Sequence, residues 1–298
     1  MGRELAQWSP AARETLEEAD DTLRFALTRL LFEGPEEDLR LTENTQPAIL
    51  AVSVAAHRVL AGQVDLEPSF VAGHSLGEYS ALVAARSLSF PDAIRSVRER
   101  GKAMQEAVPA GRGAMAALMG MERNEIESLC SDATDDHGLV SPANYNSPGQ
   151  VVIAGTRENV LRALDLFKER GGKRAVQLPV SAPFHCSLME PAARRMEEVL
   201  ADIVIDSPKT VLINNAEARP LTSADEVVPS LVAQVTSPVL WEDSIQYIAN
   251  MAVGAFLEVG PGNVLTGLTR RIRRDAVAQA FGRPEDLDAV VAMMEKTD

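Results

Sequence analysis

The alternation of apolar and polar positions divides the chain into three textures. Ser9-Pro10 pairs a capping residue with a first-turn proline, and Leu16, Ala19, Leu23, Ala26, Leu27 and Leu30 then recur at helical spacing until Gly34-Pro35. The spacing predicts one helix there and a second from about Gln46-Pro47 to Leu60, stopped at Gly62. The short apolar run 68–72 predicts a buried strand, and helical periodicity follows at once over 76–85. Beyond Gly111-Arg112-Gly113 the segments shorten to a strand (114–119), a helix (124–130), a strand (151–155), a helix (158–170) and a strand (174–180). That order predicts a small sheet with helices on one side. Strands return at 211–214 and 255–259 among helices. The fold class expected is α/β: a large parallel-sheet unit of residues 1–112 and 181–298, interrupted by a small α+β unit at 113–180. Ligands favour the cleft between such units.

Composition adds mainly exclusions. A chain of 298 residues suits two units, and 46% apolar with 24% charged residues is ordinary for a globular protein. No apolar run reaches the roughly 18–20 residues of a membrane span, since 48–60 is broken by His57 and Arg58. The first residues lack the apolar core of a secretory signal, so a cytoplasmic protein without membrane association is expected. Cys130 and Cys186 are too few for a disulfide scaffold and lack zinc-finger spacing, so no metal is expected. A net charge of −14 counts against nucleic acid as a partner.

Candidate chemistry centres on Gly73-His74-Ser75-Leu76-Gly77, a G-x-S-x-G placed between a predicted strand and a predicted helix. A sharp strand-to-helix turn raises the Ser75 hydroxyl above the sheet and points the Leu76 N–H where an oxyanion would form. A serine nucleophile needs a base, and there are four histidines. His57 falls inside a helix, His137 in a polar loop, and His74 beside Ser75 on an extended turn that points neighbours apart. His185, in Pro183-Phe184-His185-Cys186, is left by elimination. No aspartate stands out as a third member, and a backbone carbonyl can orient the imidazole instead. Cys186 reads as a small buried side chain. Arg100 lies roughly 70° from the centre of the apolar stripe of its helix, which suits either an edge ion pair or a carboxylate clamp.

Gly73-His74-Ser75-Leu76-Gly77-Glu78-Tyr79-Ser80-Ala81-Leu82, Arg100-Gly101-Lys102-Ala103-Met104-Gln105, Asn144-Tyr145-Asn146-Ser147-Pro148-Gly149-Gln150, Pro183-Phe184-His185 and Glu258-Val259-Gly260-Pro261-Gly262 occur in order. Together they resemble the malonyl-CoA:acyl-carrier-protein transacylases of bacterial fatty-acid synthesis, over nearly the whole chain. The resemblance implies an α/β-hydrolase-like core with an inserted ferredoxin-like subdomain. It implies Ser75 as the acyl-carrying nucleophile, His185 as base and then acid, and the backbone carbonyl of Gln234 as the group orienting His185. Arg100 would hold the malonyl carboxylate and Leu76 would supply an oxyanion N–H. His74, Asn144, Asn146 and Phe184 would line the cleft, Phe184 in the malonyl-selective form of its motif. Malonyl-CoA and acyl carrier protein are the implied partners, with coenzyme A entering as a substrate thioester, no cofactor, and a monomeric enzyme. Lys173-Arg174 and the basic run 270–274 are candidate docking patches for an acidic carrier.

The resemblance departs at the start. Family members open with a strand and a Gly-Gln-Gly-Ser-Gln loop that supplies an oxyanion glutamine, whereas this chain begins Met1-Gly2-Arg3-Glu4-Leu5, and Gln7 does not match. The expectation is a start roughly 15–20 residues upstream. Two alternatives stay open at this level: a serine hydrolase or thioesterase, and an impaired form that only binds acyl carrier protein.

Overall fold

The computed structural model describes residues 1–180 and 182–296, so the unit boundary expected at Ser181 lies outside the described residues. Nine strands occur among them: β1 (Phe70–Ala72), β2 (Gly113–Met119), β3 (Val140–Ser147), β4 (Gln150–Thr156), β5 (Arg174–Gln177), β6 (Val211–Ile213), β7 (Pro220–Leu221), β8 (Ala255–Val259) and β9 (Val277–Phe281). In the large unit β1 runs parallel to β6, Phe70 opposite Val211 and Ala72 opposite Ile213, and β7 closes that sheet antiparallel. β8 and β9 form a separate parallel pair. The helix Gly77–Ala84 follows β1 through a tight turn, the strand–elbow–helix order of an α/β-hydrolase-like core. Helices Thr42–Ala61 and Phe90–Glu106 bury Leu50, Val54, Ile94, Val97 and Met104 against Leu82, Leu212 and Leu231.

The small unit is antiparallel throughout, in the order β3-β4-β2-β5, with helices Arg123–Ala133 and Arg157–Glu169 between its strands. This is the ferredoxin-like arrangement. Its helices cover one face, where Ile126, Leu129, Val160 and Phe167 meet Ala116, Leu118 and Ile153. The other face presents Met115, Ala117, Ala143, Val152 and Ala154 to Cys186 and Phe184 of the large unit. Phe184 also packs into the main core, so one ring joins the two units beside His185.

Local chemistry overrode periodicity in several places. The single helix expected from Ser9 is two, Pro10–Leu23 and Leu27–Glu33. Arg24 takes a left-handed φ of 47°, and the Asp20 carboxylate accepts the Thr28 N–H at 2.8 Å, giving the backbone a polar alternative to helix. The second helix begins at Thr42, a turn earlier than its proline suggests. β3, which carries Pro142, Asn144 and Asn146 and is not among the expected strands, is an eight-residue strand with two register shifts against β4. β7 and β9 were also hidden, and the strand expected over 174–180 ends at Gln177.

Candidate active site

Ser75 sits at the elbow with φ 53°, a left-handed conformation an L-residue adopts only under constraint. The constraint is visible. Asn215, just past the end of β6, accepts the Ser75 N–H at 2.5 Å and donates to the Gly73 carbonyl at 2.7 Å, clasping the turn from both sides. A Cβ at Gly73 would stand 1.9 Å from the Gly77 carbonyl oxygen, so that position requires glycine, whereas one at Gly77 would meet nothing. Only the first glycine of the motif is therefore a steric necessity. The Leu76 N–H, at the start of the elbow helix, takes no partner among the described residues and is free to donate.

Of the four histidines, His185 is the one whose ring meets the serine hydroxyl. Its Nε2 stands 2.7 Å from Ser75 Oγ, and its Nδ1–H donates to the Gln234 carbonyl at 2.9 Å, which leaves Nε2 as the acceptor of the serine proton. Gln234 lies in the last turn of the helix Ala224–Thr236, where carbonyls lack intrahelical partners and the helix dipole is negative. That carbonyl does the orienting work a carboxylate does elsewhere. Burial, and then the Arg100 charge, push the His185 imidazole down to about 3, so the neutral base predominates at neutral pH.

Arg100 departs from its expected edge position: it is 1% exposed. The reason is close approach of the helix Thr42–Ala61, since a Cβ at Gly101 would stand 2.5 Å from the Glu43 Cα. Glycine there lets the second helix cover Arg100 and bring up Gln46, whose Oε1 accepts from Nη1 at 2.7 Å. Nη2 donates to Ser75 Oγ at 3.0 Å and to Gln234 Oε1 at 2.9 Å, while the buried Nε has no partner. One serine oxygen thus faces a base and a guanidinium at once.

Glu78 is wholly buried in the first turn of the elbow helix. Its Oε2 accepts from Gln234 Nε2 at 2.8 Å and from the Asn215 N–H at 3.0 Å, and Oε1 faces Ser230 Oγ at 3.5 Å. Burial pushes its carboxyl up to about 7, opposed by those hydrogen bonds and by the Arg100 charge.

The structure brings together Ser75, Leu76, Arg100, His185 and Gln234. His74 turns away from the serine: Nε2 meets Asn146 Oδ1 of β3 at 2.8 Å and the ring packs on Trp241, tying the elbow to the small unit. Asn144 is buried on β3, which is bridged there to Val239. Cys186 is inert, its thiol donating to the Pro183 carbonyl and pushed up to about 11 by burial. Gln7 is exposed on the helix Arg3–Trp8. Lys173 and Arg174 are exposed at the start of β5, whereas Arg271 is held by Gln150 at 2.7 Å and Arg270 by the Ala278 carbonyl. Sequence reasoning missed Gln46, Glu78 and Asn215; Glu78 stood inside the serine motif, and the other two are joined to the site only by long-range packing.

The acyl transferase domain family matches residues 1–291. The chain is 44% identical over 299 residues to the malonyl CoA-acyl carrier protein transacylase of Bacillus subtilis (strain 168), covering 100% of this chain and 94% of that relative. It is 46% identical over 293 residues to the transacylase of the same name from Escherichia coli (strain K12), covering 98% and 94%. Among solved structures, the malonyl CoA-acyl carrier protein transacylase from Coxiella burnetii superposes with a TM-score of 0.96 at 41% identity, covering 100% and 93%. A malonyl-transacylase solved in complex with its type II PKS acyl-carrier protein superposes at 0.95 and 45% identity, covering 99% and 94%.

Proposed function

The chain belongs to the malonyl CoA-acyl carrier protein transacylases of the acyl transferase domain family, and we propose that Ser75 carries the malonyl group between its two thiols. The enzyme is an acyl-carrier-protein S-malonyltransferase. The observation that carries the residue assignment is the single Ser75 oxygen, 2.7 Å from His185 Nε2 and 3.0 Å from Arg100 Nη2.

In the first half-reaction His185 Nε2 takes the hydroxyl proton as Ser75 Oγ attacks the thioester carbonyl of malonyl-CoA. The oxyanion of the tetrahedral intermediate meets the Leu76 N–H. Collapse breaks the carbon–sulfur bond, and His185 returns its proton to the departing CoA thiolate. The phosphopantetheine thiol of acyl carrier protein then gives its proton to His185 and attacks the malonyl ester, and Ser75 leaves with that proton restored. The imidazolium that forms twice is steadied by the Gln234 carbonyl at its helix end. Arg100 holds the malonyl carboxylate, its unpartnered Nε donating beside the Nη2 hydrogen that Ser75 Oγ gives up when it becomes an ester oxygen. A carboxylate there offsets the guanidinium charge that depresses His185, so the correct substrate raises the basicity of its own base. Asn146, Phe184 and Asn144 line the cleft where the small unit, residues 113–180, faces the large unit of 1–112 and 181–298. The reaction runs without a cofactor beyond the thioester substrate, in the cytoplasm, on a monomer. No helix among the described residues is long and apolar enough to cross a membrane, and none of their side chains gather as a metal-holding group.

Intact mass after incubation with malonyl-CoA tests this reading. A single malonyl adduct should appear, discharge onto added holo-acyl carrier protein, and vanish in Ser75→Ala. An undiminished adduct in that variant places the nucleophile elsewhere, and free malonate released without acceptor makes the protein a hydrolase.

A further inference from the structure

Glu78 is a carboxylate sealed in the core, one of the costlier side chains to bury, and the transfer chemistry above gives it no task. What it touches suggests one. Of its two oxygens, Oε2 takes both close bonds, from Gln234 Nε2 and from the Asn215 N–H. The Gln234 amide has two possible orientations and only one fits. As placed, its NH2 group donates to the Glu78 carboxylate and to the Ser75 carbonyl at 2.9 Å, while its oxygen accepts from Arg100 Nη2. Flipped, its oxygen would face two acceptors and its NH2 would face a cation. Glu78 is therefore one of the two acceptors, with the Ser75 carbonyl, that turn the amide oxygen towards Arg100, and that oxygen with Gln46 Oε1 fixes the plane of the guanidinium.

We propose that Glu78 is a positioning residue for acyl selectivity: by fixing the orientation of the Gln234 amide it aims Arg100 at the substrate carboxylate, without itself touching substrate. The inference rests on the reading of Arg100 as the malonyl clamp. It also explains how a carboxylate can keep this role in either protonation state. A proton on Oε1 would be donated to Ser230 Oγ, whose own acceptor capacity is only partly used by Asn214 Nδ2 at 3.0 Å. Oε2 would still accept from Gln234 and Asn215. The role belongs to an acceptor atom, not to a charge.

That distinction dictates the test. Glu78→Gln can place its amide oxygen where Oε2 lies and its NH2 towards Ser230, so it should retain the preference for malonyl-CoA over acetyl-CoA. Glu78→Met has similar volume and no acceptor, so its malonyl-over-acetyl ratio of kcat/KM should fall by about tenfold or more, the scale of one lost buried hydrogen bond. The fall should appear in the malonyl arm, with acetyl-CoA use little changed. In an Arg100→Ala background, adding Glu78→Met should leave the ratio where Arg100→Ala alone puts it. Gln234→Met keeps the backbone carbonyl and removes the steered amide; it should reproduce the Glu78→Met ratio, and it serves if Glu78→Met fails to fold. A melting temperature that drops in Glu78→Met with the ratio intact makes Glu78 merely structural, and an intact ratio in Gln234→Met overturns the proposal equally. If Arg100→Ala itself leaves the ratio unchanged, the clamp reading fails first; if it shifts the ratio and neither Glu78→Met nor Gln234→Met does, only the Glu78 proposal is lost.

Discussion

Around Ser75 the buried side chains are polar, and each is held by residues far away in sequence: Asn215 by the elbow, Gln46 and Gln234 by Arg100, His185 by a helix end. Under the two helices that cover the sheet of the small unit the clustered side chains are apolar, and neighbouring strands and those helices hold them. Both regions are tightly buried, yet they are stabilised differently. Apolar packing is non-directional and shared among many contacts, so one truncation removes stability in proportion to the volume lost. The polar cluster is directional, and its donors and acceptors are nearly all spent, so one truncation removes orientation. The two regions should therefore separate stability from chemistry when each is broken.

The largest effect lies in the base. His185→Ala should slow malonylation of Ser75 by about 10²-fold or more, the usual scale for a general base, with the fold retained. Rapid-quench mass measurement checks it, and a rate within twofold of the parent would remove His185 from the mechanism. Arg100→Ala comes next: losing a bidentate, charge-assisted partner in a desolvated site costs about 2–4 kcal/mol, or about 30- to 1,000-fold in kcat/KM for malonyl-CoA. Acetyl-CoA, which lacks the carboxylate, should be affected far less; equal losses would make Arg100 part of the scaffold only.

The opposite pole is Ile153, wholly buried at the centre of β4 between β2 and β3. Ile153→Ala should lower unfolding stability by about 2–5 kcal/mol while leaving the malonylation rate of the folded fraction close to the parent's. Denaturant titration beside the same mass assay decides it, and a proportionate loss of rate would show that the sheet and the site are one cooperative network. The smallest effect is in pH. Because His185 is depressed to about 3 in the free enzyme, the neutral base persists as pH falls, and kcat/KM for malonylation, which reports the free enzyme, should change by less than about twofold between pH 7 and 5. A histidine at its ordinary value near 6.5 would lose about 25-fold over that interval, and such a loss would mean Arg100 and burial do not act on the base as the geometry suggests.

The same contrast explains what was legible in the sequence. The elbow is encoded locally, since strand, small residue, serine and helix are contiguous, and Ser75 and Leu76 could be read directly. The helices of the small unit follow their own periodicity. His185 was reachable only by discarding the other histidines. The burial of Arg100 was not readable from its own helix, because the covering surface comes from Gln46 and the Gly101–Glu43 approach. β3 escaped notice because its polar residues face the cleft: Asn146 spends its side chain on His74, and a strand that lines a polar site loses the apolar alternation that marks strands elsewhere.

The partner of His185 Nδ1 is a peptide oxygen, which every one of the twenty amino acids would provide at position 234. Exhaustive mutagenesis there can change the side chain that meets Arg100 and Glu78, but it cannot delete the atom that orients the base. A tolerance map of this protein would thus report at position 234 only the side chain that meets Arg100 and Glu78, and the carbonyl that faces His185 would leave no trace in it wherever the helix end survives.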